Sequence, residues 1–128
     1  MEKVKSKSIS VIFDTDMDID CDDVGALALL HALMDLGEVN ILGIICDVPL
    51  EASAKCAIVI NDYYNRFDLP VGLVIDKEYE SGEKYKAYRE HRKIIPTTND
   101  YYTEEVAKQF YKKKYDEKKI WEAVLLYR

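Results

Sequence analysis

Apolar residues in the first half of the chain fall into runs that alternate between short and long, and this alternation predicts strands separated by helices. Residues 8–14 (SISVIFD) are a short β-branched run with a polar stretch behind it, the pattern of a strand buried on both faces. From Asp22, DDVGALALLHALMDLG continues without proline, opens on aspartate and has Gly37 just past its end, which predicts a helix. That helix is apolar nearly all round and is expected to be buried. Residues 39–46 (VNILGIIC) predict a second strand. Residues 50–67 predict a second helix with Ala52, Cys56, Val59, Ile60 and Tyr63 on one side, and residues 69–75 (LPVGLVI) a third strand.

Strands alternating with helices of this length imply parallel strands joined by right-handed crossovers. The expected fold is therefore α/β with a Rossmann-like, doubly wound, mainly parallel sheet, present in part as three N-terminal strands plus helices. After Ile75 the chain turns polar and Tyr-rich, which predicts a loop, an exposed helix and a connector (IIPTTNDYY). Residues 103–111 and 116–128 predict further helices, the last with Ile120, Val124 and Tyr127 at helical spacing. The chain reads as a single domain, a βαβαβ core over 1–76 followed by a helical segment over 77–128, with sheet edges that need covering.

Composition narrows the function. With 128 residues, 48% hydrophobic and 33% charged, the chain has the make-up of a globular domain. It has no apolar run near the ~20 residues a membrane span needs, and its N-terminus lacks a signal-peptide core. A cytoplasmic location is expected. Cys21, Cys46 and Cys56 lack CxxC spacing, which argues against a disulfide framework or thiolate zinc site and for buried free thiols.

Charge is more informative, because Asp14, Asp16, Asp18, Asp20, Asp22 and Asp23 crowd one stretch. Elsewhere acidic and basic residues are equal in number, so the whole formal charge of −6 sits in one loop. Such a loop repels nucleic-acid phosphates and anionic lipid, which leaves a cation as the expected partner. The loop also lies where the first strand hands over to the first helix, outside the carboxyl end of the strand, where open α/β sheets bind ligands. Oxygen-only donors suit a hard cation, Ca²⁺ before Mg²⁺. Carboxylates this close repel one another unless an ion or hydrogen bonds offset them, although single aspartates such as Asp18 and Asp20 also serve as caps and turn residues.

An EF-hand would match the alternating acids but needs Gly where Ile19 stands and Glu where Gly25 stands. A haloacid-dehalogenase-like phosphatase would match VIFDTD, with Asp14 as nucleophile, yet no downstream Thr or Ser, Lys and acidic pair completes it.

FDTDMDIDCDDVGALALL, a strand, D-T-D, a short turn and D-D opening an Ala/Leu-rich helix, resembles the start of the inosine/uridine-preferring nucleoside hydrolase family. The similarity continues through LGEVNILGIICDVPLEASAKCAIVINDYYNRFDLPVG, and AVLLYR looks like a family helix. The resemblance implies hydrolysis of the N-glycosidic bond of ribonucleosides with a Ca²⁺-held water. By the same resemblance Asp16 would ligate Ca²⁺ and act as general base, and Asp23 would ligate the metal. Asp22 would hydrogen-bond ribose, with Asp20 competing for that role and Asp47 a weaker candidate, while Asp14 would order the loop.

The family usually has Gly where Asp18 stands, and often Asn in the loop that here reads Asp47-Val48-Pro49. Later family segments find no counterpart, so the expected alternative is a catalytically silent, truncated relative that binds a cation only, either self-associating or completed by a missing C-terminal segment. His31 is expected to be packed and His91 solvated. Tyr79, Tyr85, Tyr88, Tyr101 and Tyr102 are expected to pack on the body of the protein rather than stack a base, and Lys112, Lys113, Lys114, Lys118 and Lys119 to form a solvated face.

Overall fold

The computed structural model describes residues 7–18, 21–75, 87, 90, 91, 102–116 and 120–122. Strand β1 (Ile9–Thr15) is followed by α1 (Asp22–Asp35), β2 (Val39–Cys46), α2 (Glu51–Tyr63) and β3 (Val71–Leu73). Then come α3 (Tyr102–Phe110), a 3-10 turn (Lys113–Tyr115) and β4 (Ile120–Glu122). The four strands form one all-parallel sheet in the order β1-β2-β3-β4. The α/β character is thus as expected, while the winding runs in one direction across the described strands. Right-handed crossovers in one direction carry successive helices to one side of a sheet. There α1 and α2 enclose a core of Leu27, Ile41, Ile44, Cys46, Ala54, Ala57, Ile58 and Val71, closed from beyond α3 by Tyr115.

As an edge strand of the described sheet, β1 is not buried on both faces as its apolar run predicts, whereas the end of β2 is. Val11 and Phe13 are half-buried, whereas Ser10, Ile12 and Asp14 are exposed. Helix α1 buries only a stripe. Leu27 and His31 are fully buried, Val24, Leu30 and Met34 pack partly on the core, and Leu29 and Leu36 remain 60% and 72% exposed. In α2 the buried face is Ser53, Ala54, Cys56, Ala57, Ile58 and Asn61, which leaves Tyr63 80% exposed. The side expected from sequence is rotated towards the larger apolar residues, while the observed buried face includes the small Ala54 and Ala57.

Both helices end in Schellman turns. Glu38 N–H donates to Leu33 and Gly37 N–H to Met34, as Arg66 N–H does to Asn61 and Asn65 N–H to Asp62. Each turn needs a left-handed residue, supplied by Gly37 (φ 73°) and Asn65 (φ 57°).

Where residues 116–128 predicted helix, Ile120–Glu122 instead form a fourth strand. Ile120, Trp121 and Glu122 stand opposite Val71, Gly72 and Leu73 of β3. A β-branched and an aromatic residue beside an open strand edge gain more from the ladder than from a short exposed helix turn. Val124 and Tyr127 lie outside the described residues, as do Tyr79, Tyr85, Tyr88, Tyr101, Lys118 and Lys119. Within 76–93, Ala87, Glu90 and His91 are helical and exposed, as expected. Helix α3 starts one residue before its expected position, and Tyr102 packs against the core. The lysine face is more than solvated: Lys114 bonds both oxygens of Asp62 at 3.0 Å, and Lys112 stands 4.0 Å from it. Among the described residues no helix is long and apolar enough to cross a membrane.

Candidate acidic site at the carboxyl end of the sheet

Parallel pairing brings the ends of β1 and β2 to the same edge, with Thr15 opposite Cys46. Asp47 N–H then donates to the Thr15 carbonyl at 3.0 Å and extends the ladder one step. Asp14, Asp16 and Asp47 therefore emerge together where ligands bind in α/β sheets. Their proximity has an electrostatic signature. Partial burial raises the Asp47 carboxyl above its ordinary value, and the carboxylates of Asp14 and then Asp16 raise it further.

Asp23 reaches this edge from the first turn of α1, where an acidic side chain also complements the helix dipole. Its Oδ1 accepts a 2.6 Å hydrogen bond from the buried Thr15 hydroxyl. The same hydroxyl accepts from Met17 N–H at 3.2 Å, which curls the loop back over the strand end. Ser53, in the first turn of α2, donates its hydroxyl proton to the Met17 carbonyl. Thr103 of α3 donates to the Asp18 carbonyl at 3.4 Å. Four elements thus hold one loop.

Of the aspartates singled out from sequence, Asp16 and Asp22 are exposed, Asp23 is half-buried and Asp47 is exposed beside Asp14 and Asp16. Asp18 is buried at 4% exposure, unlike a solvated turn residue, and Asp20 lies outside the described residues. The oxygen donors suit a hard divalent cation in kind. In geometry, no three His, Cys, Asp or Glu side chains among the described residues group closely enough to hold an ion.

Thr15, Ser53 and Thr103 escaped the sequence reading. Thr15 carried a signal, a hydroxyl between two aspartates, whereas Ser53 and Thr103 meet the loop only through tertiary folding. The thiols are free, and burial pushes Cys46 and Cys56 up to about 12, which leaves them inert. Cys21 is exposed rather than buried, because it precedes α1 on the loop. Comparison of the chain with protein-family models, with curated proteins and with solved structures gave no match.

Proposed function

We propose that this chain is a nucleoside-hydrolase-type domain that binds ribonucleosides at the acidic edge and hydrolyses their N-glycosidic bond with the help of Ca²⁺. The observation that carries the proposal is the meeting of Asp14, Asp16 and Asp47 from two strands, close enough that the first two raise the third. Carboxylates gathered at the ligand-binding edge of an α/β sheet favour a cation there. When bound, Ca²⁺ would supply Lewis-acid activation of a water and a grip on ribose hydroxyls.

In that arrangement Asp16 and Asp23 hold the ion. Asp16 takes the proton from the attacking water, and Asp22, Asp20 and Asp47 accept hydrogen bonds from ribose. Thr15 fixes one oxygen of Asp23. Negative carboxylates on one side of the sugar also favour the positive charge that develops as the base departs. The finer architecture belongs to the same proposal: a doubly wound sheet requires a further strand on the outer side of β1, where the winding would reverse. Three free cysteines suit a reducing cytoplasmic compartment.

Release of free base from inosine or uridine in the presence of Ca²⁺, abolished in Asp16→Asn, is the expected result. A folded chain that binds Ca²⁺ yet releases no base would support the second reading, a silent cation-binding relative.

A further inference from the structure

At the opposite end of the helix pair, His31 is wholly buried in α1 and engaged on three sides. Its Nε2 lies 3.0 Å from Asn61 Oδ1 and its Nδ1 lies 3.3 Å from Arg66 Nη1. Its ring stacks on Tyr64 with centroids 4.5 Å apart and planes 15° from parallel. A guanidinium can only donate, so Nδ1 must carry a lone pair and the proton of the neutral ring sits on Nε2. That tautomer in turn orients Asn61 with its carbonyl oxygen towards His31. Arg66 is aimed at α1 because it follows Asn65 in the Schellman turn of α2, and its other amino group pairs with Asp35.

We propose that His31, Asn61, Arg66 and Asp35 form a proton-released latch between α1 and α2, closed while His31 is neutral and opened when Nδ1 takes a proton. Protonation turns Nδ1 from acceptor to donor against a group that offers only donors, so the Arg66 contact breaks while the Asn61 contact survives. The charged groups that face the ring are Arg66, from the turn after α2, and Asp35, from its own helix; Asn61 and Tyr64 are neutral. Burial first, and the Arg66 guanidinium, lower the ring from its ordinary 6.5, against the raising effects of Asn61 and Asp35. A lowered value fixes the sign: the latch contributes fully above 6.5 and is lost as pH falls from there through the folded-state value.

The test is nitrogen-15 NMR of the histidine side chains in the full chain from pH 8 to pH 4, with amide exchange followed in the same samples. The expected results are the Nε2–H tautomer at neutral pH and a His31 midpoint below the ordinary 6.5. Amides in the last turn of α1 should exchange about tenfold faster or more once His31 is charged, the loss expected for one hydrogen bond to an ionic group. Arg66→Gln, which keeps a donor but no charge, should raise the His31 midpoint and carry the exchange step with it. A neutral Nδ1–H tautomer, a His31 midpoint at or above 6.5, exchange indifferent to the His31 titration, or an unmoved midpoint in Arg66→Gln would each overturn the latch.

Discussion

Replacing Thr15 by Val keeps the size and branching of a buried side chain, 3% exposed, and removes only its hydroxyl. Two interactions go with it, the 2.6 Å bond to Asp23 and the 3.2 Å bond from Met17 N–H. A hydrogen bond to a charged group contributes about 1.5–3 kcal/mol. Asp23 is half-buried and regains water, so the lower end applies to it. Met17 is wholly buried, and its amide left without an acceptor costs about 1–3 kcal/mol. The expected loss is therefore roughly 2.5–4.5 kcal/mol, a large part of the ~5–15 kcal/mol that holds a domain folded. Urea unfolding followed by circular dichroism at pH 7 reads this as a lowered midpoint with an unchanged m-value. Thr15→Ser, which keeps the hydroxyl, should recover most of the loss. A Thr15→Val midpoint within about 0.5 kcal/mol of wild type would show that the hydroxyl is not what holds the loop.

Asp47→Asn removes a carboxylate whose folded-state value is raised, a group that costs stability at neutral pH and less as pH falls. The variant should melt above wild type in the absence of divalent cation and gain less from added Ca²⁺, and a lower melting point in chelator would contradict this. Tyr115→Phe removes the first of the contacts, ahead of Lys114, that hold Asp62 below its ordinary 3.8. It should cost about 1 kcal/mol at pH 7, with the difference from wild type vanishing as pH falls through the lowered Asp62 value, as read by unfolding at stepped pH. Asn65→Gly should leave stability unchanged or raise it, whereas Asn65→Val should lose about 1–2 kcal/mol from its left-handed backbone, both measured by thermal melting.

The βαβαβ order was legible because strand and helix periods differ and because helix punctuation is local, with Asp22 at the start of α1 and Gly37 past its end. Asn65 does for α2 what Gly37 does for α1, but asparagine also fits turns of many other kinds, so that end was placed too late. Burial was less legible than element type. Which side of α2 turns inward depends on the sheet it meets, and Ala54 and Ala57 carry weak apolar signals that close packing makes decisive. Strand β4 was hidden because Ile120 and Trp121 fit either period until β3 offers an edge. At the site, the aspartates and their position after β1 could be read directly. The ties from Ser53 and Thr103 could not, since they join residues 36 and 85 positions apart.

Cation binding at the acidic edge is tested most directly by Ca²⁺ titration of the purified chain in a calorimeter, beside the double substitution Asp16→Asn, Asp23→Asn. Stoichiometric binding in wild type that disappears in a folded double variant is the expected result. No binding by a folded wild-type chain, or equal binding by the variant, would contradict the assignment of Asp16 and Asp23 to the cation and with it the proposed hydrolase site.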